Sequence, residues 1–180
     1  MNKQQFRVKH IEMKGYAKID STEKYRYLLG RKWVENLPQV TFVMLNPSTA
    51  DADKDDRTLT RCIKFAEFWG YGSLEVVNLF AYITPKPREL HQVNDPVGLE
   101  NNSYIKSATE RADLIILAWG ASKYPRNNRD RDKEVLSLIS GKKTLHCLKL
   151  TKKGYPNHPL YLKVEDSTKL IIFPNFSLQI

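Results

Sequence analysis

Cysteine is scarce: Cys62 and Cys147 are the only two in 180 residues. They are too few and too far apart for a disulfide framework or a zinc site, and both sit in apolar stretches, so they read as reduced core residues. Glycine numbers only 8, and no GxGxxG or Walker loop is present, which removes nucleotide binding by a glycine-rich turn. No apolar run approaches the roughly 20 residues of a membrane span. The opening MNKQQFRVKHIEMKG has no apolar signal region, so the expectation is a soluble, cytoplasmic protein. Acidic residues are also in deficit. Against 20 Asp+Glu stand 29 Lys+Arg, giving a formal charge of +9. That excess favours a polyanionic partner, because each cation placed on a phosphate releases a counterion. Net charge carries no information about fold.

What is present reads as one domain over residues 1–180. Residues 1–36 are charged and rich in Tyr and Arg, and loose alternation over 6–13 and 24–33 suggests an N-terminal antiparallel flap. Pro38 opens the core, 37–180. Four apolar runs follow, Val40–Leu45, Leu74–Phe80, Asp113–Trp119 and Thr144–Leu150, with a last edge strand at Leu170–Phe173. Between them lie segments of helical period. In 56–69, Leu59, Cys62, Ile63, Ala66 and Trp69 share one face, Asp55 and Asp56 stand at the N-terminus, and Gly70 closes the helix. Further helices are expected at about 98–110 and 130–140. Near-continuous apolar strands alternating with helices predict an α/β fold: three layers, α/β/α, around a central four-stranded, mainly parallel sheet. Ligands bind such sheets beyond the carboxyl ends of the strands.

Each strand end carries an unusual group. The first runs into Asn46-Pro47-Ser48-Thr49, where the turn leaves Asn46 either facing a cleft or closing an Asx turn. The second contains Asn78, an amide inside an apolar strand, which serves as a buried crosslink or presents donor and acceptor to a ligand edge. Past the fourth strand comes Asn157-His158-Pro159-Leu160-Tyr161-Leu162, which sets His158 on a rigid loop beside an apolar tip. Asp51-Ala52-Asp53-Lys54-Asp55 has the spacing of a calcium loop's start. It lacks glycine at the sixth place (Asp56) and glutamate at the twelfth (Cys62), so no EF-hand is expected. No metal and no cofactor is implied.

In order, these pieces resemble the uracil-DNA glycosylase superfamily. MLNP is similar to that family's Asp/Asn-Pro strand end, VVNLF to its Asn-bearing strand, and HPLYL to its His-Pro loop with a following wedge. The longer string, MLNPSTAD through WGYGSLEVVNLF, LAWGA and HCLKLTKKGYPNHPLYL, is also similar to a family of uncharacterised bacterial proteins over roughly residues 25–163. Three positions depart from the glycosylase pattern. Met44 stands where Gly is usual, Ser48 where the classical branch has a thymine-excluding Tyr, and Leu160 where Ser is usual.

The glycosylase resemblance implies a glycosylase-like sheet and an enzyme of DNA repair that flips uracil, or a related damaged base, out of DNA and hydrolyses its glycosidic bond. Asn78 would read the base edge, accepting from N3–H and donating to O4. His158 would donate to O2 as charge builds there, and Asn46 would position the water, with Asp51 or Asp53 as base. Pro47 and Ser48 would line the pocket, with Phe80 or Phe65 stacking on the base. Leu160, Tyr161 or Leu162 would fill the gap left in the duplex, and Lys152, Lys153, Lys123, Arg126 and Arg129 would hold phosphates. The partner is single- or double-stranded DNA, and the protein is expected to act as a monomer. A non-catalytic DNA or RNA binder, or an enzyme of free nucleobases or nucleosides, would use many of the same residues.

Overall fold

The computed structural model describes residues 13–121, 130–141, 143–165 and 169–174. Its strands are β1 (Lys14–Ile19), β2 (Arg26–Lys32), β3 (Gln39–Met44), β4 (Ser73–Asn78), β5 (Leu114–Leu117), β6 (Leu145–Cys147) and β7 (Ile171–Ile172). They form one seven-stranded sheet in the order β1-β2-β4-β3-β5-β6-β7. The inner pairs β4–β3, β3–β5 and β5–β6 are parallel, while β1–β2, β2–β4 and β6–β7 are antiparallel.

This corrects the expected architecture. The protein is α/β, but its sheet is mixed and seven strands wide, not a four-stranded glycosylase-like sheet with a detached flap. The reason lies in β2. Residues 26–31 are all buried, and Leu28 and Leu29 enter the cores on opposite faces of the sheet. A strand buried on both faces cannot stand apart as a flap, so β2 bonds to β4 and carries β1 with it. The exposed Lys14 and Lys18 of β1 suit an edge strand, because charge there discourages pairing with another chain. Of the expected N-terminal strands, residues 6–12 lie outside the described residues, and the outer strand occupies 14–19.

Helix α1 (Arg57–Phe68) covers one face. Asp56 caps it by accepting from the Leu59 N–H at 2.8 Å, and Leu59, Cys62, Ile63, Phe65 and Ala66 are buried against Val40, Phe42, Leu74 and Val76. Gly70, at φ +81°, ends it, in a conformation that costs a side-chain-bearing residue strain. On the other face lie α2 (Asn101–Arg111) and α3 (Arg131–Ile139), over Val43, Val77, Ile115 and Leu117. Glu75 on β4 ties that side together. It is almost fully buried, accepts from the Tyr16 hydroxyl at 2.9 Å and pairs with Arg111 at 2.7 Å. Burial and the neighbouring carboxylate both push the Tyr16 hydroxyl well above the usual phenol range.

The β1–β2 register slips at one point. Lys18 faces Leu28 and Ile19 faces Arg26, which leaves Tyr27 as the extra residue of a β-bulge. Tyr27 and Leu28 therefore both face α2, where Tyr27 stacks on Tyr104. Arg26 is thereby turned to the α1 face, which it shares with Leu29.

No helix among the described residues is long and apolar enough to cross a membrane. Cys62 and Cys147 are both buried free thiols, and burial pushes Cys147 up to about 11.

Candidate functional site

At the carboxyl end of the inner strands, on the α1 side, lies a cleft of about 390 Å³. That is room for a nucleobase or a somewhat larger group. Its walls come from separate parts of the chain: Arg26, Asn46, Asn78, Trp119 and His158, with Tyr161 at the rim.

Asn46 lies two residues past the end of β3. Its Nδ2 donates to the Pro47 and Thr84 carbonyls, both at 2.8 Å. Both amide hydrogens are thus spent on backbone. What the side chain can offer a ligand or water is the acceptor Oδ1.

Asn78 is the last residue of β4, in register with Met44, and is 2% exposed. Its Nδ2 is buried with no acceptor. The backbone behind it is held firmly. Asn101 Nδ2 donates to the Asn78 and Leu79 carbonyls, both at 3.0 Å, and the fully buried Arg131 donates through Nε to Leu79 at 2.7 Å.

His158 precedes a short 3₁₀ turn, Pro159–Tyr161. Its Nδ1 accepts from the Leu160 N–H at 3.3 Å, which leaves the proton of the neutral ring on Nε2. Its own N–H donates to Asn157 Oδ1 at 2.9 Å. Burial holds the imidazole below its ordinary value, against a smaller opposing pull from Asp56. The ring is therefore a neutral donor near pH 7. Gly120, at φ +81°, donates through its N–H to Pro156 at 2.8 Å, tying the Trp119 strand end to the histidine loop.

The remaining sequence candidates divide. Ser48 and Tyr161 line the cleft. Pro47 is buried beside it and supplies a carbonyl to Asn46 and to the Thr84 N–H. Phe65 and Phe80 are fully enclosed in the two cores, so neither can stack on a ligand. Asp51 is exposed and turned into its own loop, accepting from the Asp53 and Lys54 N–H groups, which hold its carboxyl below the usual range. Asp53 is also exposed and away from the lining. Leu160 and Leu162 are half-buried, Leu162 against the α1-side core, whereas Tyr161 is 77% exposed. Lys152 and Lys153 are exposed outside the cleft. Lys123, Arg126 and Arg129 lie outside the described residues.

Sequence reasoning missed Arg26, Asp56 and Trp119 as parts of the site. Asp56, the cap of α1, lines the cleft, and among the described residues it is the carboxylate-bearing residue in that lining. Trp119 is 2% exposed, with its Nε1 unpartnered. Arg26 is 4% exposed and donates to the Ala50 carbonyl, while its Nε has no acceptor. Burial, and secondarily Arg31, push its guanidinium down to about 10, although Asp56 and Asp51 act the other way. The legible signal was Tyr25-Arg26-Tyr27-Leu28-Leu29, a single cation within a strand-like apolar run.

A family model matches residues 26–160, from Arg26 to the 3₁₀ turn. The chain belongs to DUF1643, a family of proteins of unknown function. The match takes in every lining residue named above except Tyr161. No curated protein and no solved structure matches this DUF1643 chain. Among its described residues, no group of three or more His, Cys, Asp or Glu could hold a metal ion.

Proposed function

We propose that the protein hydrolyses the glycosidic bond of uracil, or of a closely related damaged base, in DNA, with the flipped base seated in the cleft. The observation that carries this reading is the complementary roles fixed on Asn46 and His158 around one base-sized hollow that also holds Asn78. Asn46 offers only an acceptor, which suits orienting an attacking water. His158 offers a neutral donor, which suits an oxygen gaining negative charge as the bond breaks. The unpaired Asn78 Nδ2 suits a carbonyl on the base edge; a base with an amino group there would leave it unsatisfied. Asp56, in place of Asp51, is the carboxylate available to the water. Tyr161, the exposed member of the tip, would occupy the gap in the duplex. The charge of +9 suits the phosphate backbone.

The test is incubation with uracil-containing single-stranded and duplex DNA followed by alkali, which should cut the strand at uracil. His158→Ala should slow release about 100- to 1000-fold with little loss of DNA binding. DNA that is shifted in a gel but stays intact would indicate a binder. Release from free nucleosides that is indifferent to salt would indicate a small-molecule enzyme.

A further inference from the structure

We propose that the cleft contains an anion seat, built from Arg26, Asn78 and Trp119, that takes an oxygen-bearing anionic group.

Three observations converge. Arg26 Nε, Asn78 Nδ2 and Trp119 Nε1 are all buried donors without an acceptor, and all three residues line the same cleft. Each residue is at least nine-tenths enclosed. Unsatisfied buried donors are uncommon in folded proteins, so three on residues that line one cleft point to an acceptor the cleft would take.

The second observation is charge. Arg26 makes no ion pair among the described residues, while the other two deeply buried arginines do, Arg31 with Asp55 at 2.8 Å and Arg131 with Glu134 at 2.7 Å. A buried, unpaired cation is costly unless something anionic joins it. The charged and titratable groups around it are Asp56 at the head of α1, Asp51 in the loop before it, Arg31 on β2, and His158 and Tyr161 in the cleft lining. Asp56 and Asp51 act on Arg26 through their charge, and neither forms an ion pair with it. Asp56 caps α1 through Oδ1, and Asp51 accepts within its own turn.

The third is placement. The bulge at Tyr27 turns Arg26 onto the cleft face. Without the extra residue, strict alternation would send it toward α2. Three unpartnered donors, with no carboxylate paired to Arg26, favour an acceptor-only group. Under the excision reading that group is the departing base carrying its charge. The seat itself does not depend on that reading, since a phosphate offers the same chemistry.

The experiment is isothermal titration of the full chain with two probes. One is inorganic phosphate. The other is 5-fluorouracil, a near-isostere of uracil whose ring N–H ionises in mildly alkaline solution, titrated below and above that ionisation. Binding of phosphate, or a preference of about tenfold or more for ionised over neutral fluorouracil, is expected. Arg26→Gln should abolish it and Arg26→Lys should retain part of it. Trp119→Phe, which keeps the ring and removes the donor, should weaken it severalfold, and this variant stands in if Arg26→Gln fails to fold. Binding of neither probe, or anion binding unchanged in both Arg26→Gln and Trp119→Phe, overturns the proposal. Anion binding without uracil release removes the excision reading alone, and uracil release without anion preference removes the seat alone.

Discussion

Tyr27 of β2 lies flat against Tyr104 of α2, ring centroids 5.3 Å apart and planes within 4°. This stack fills the bulge that reverses the direction of the preceding side chain, so it holds Arg26 from the opposite face of the sheet. Tyr27→Ala should cost about 3 kcal/mol of stability, the scale for removing a buried aromatic ring. Urea unfolding measures the loss. The same variant, kept below its transition, should also lose anion binding, since nothing then fixes the bulge.

Asn46 gives a prediction against chemical intuition. A carboxylate there would be a better base for water than an amide. Yet both Asn46 amide hydrogens go to backbone carbonyls. Asn46→Asp puts acceptor against acceptor and should lower stability by about 1–3 kcal/mol. Uracil release should fall in this variant. A rise in rate at unchanged thermal stability would show that the amide is not held as described.

Gly30 makes room for Tyr16. A Cβ at Gly30 would lie 2.0 Å from Tyr16 Cζ, directly across the β1–β2 pair. Gly30→Ala should therefore destabilise by about 1–3 kcal/mol, as overpacking does. In a double-mutant cycle with Tyr16→Ala, the alanine at 30 should cost far less, because the ring it strikes is gone.

The half-buried His158 gives a pH dependence. Its folded value is lowered by burial, so at mildly acid pH the unfolded chain binds a proton there that the folded chain does not. The stabilising difference is whole above the unfolded value of about 6.5 and shrinks as pH falls through that value toward the folded one. His158→Gln should flatten this part of the stability profile, read as the midpoint of thermal unfolding across mildly acid pH. A wild-type profile as flat as the variant's would show that the ring is not shielded.

Much of the local structure was legible in the chain. The helical spacing of Leu59, Cys62, Ile63 and Ala66 and the cap at Asp56 marked α1 to within a residue or so at either end. The apolar runs marked the inner strands, and Asn46, Asn78 and His158 stood out as polar groups at strand ends. What misled was treating each segment alone. Tyr-rich 24–33 looked peripheral because its partner, β4, is more than forty residues away, and hydrogen bonding to a distant strand leaves no local signature. Phe65 and Phe80 looked available for stacking because sequence cannot say on which side of a helix or strand end the core closes.

The sequence by itself determined the periods, the caps, the basic charge and the residue types at the strand ends, because these depend on near neighbours and on composition. Only the tertiary structure decided that β2 enters the sheet, that one extra residue in it turns Arg26 onto the cleft that Asn78 and Trp119 also line, and that Asp51 faces its own loop while Asp56 joins the cleft lining. Those outcomes rest on strand pairing and on packing between segments far apart in the chain, where a shift of one residue reverses which face a side chain meets.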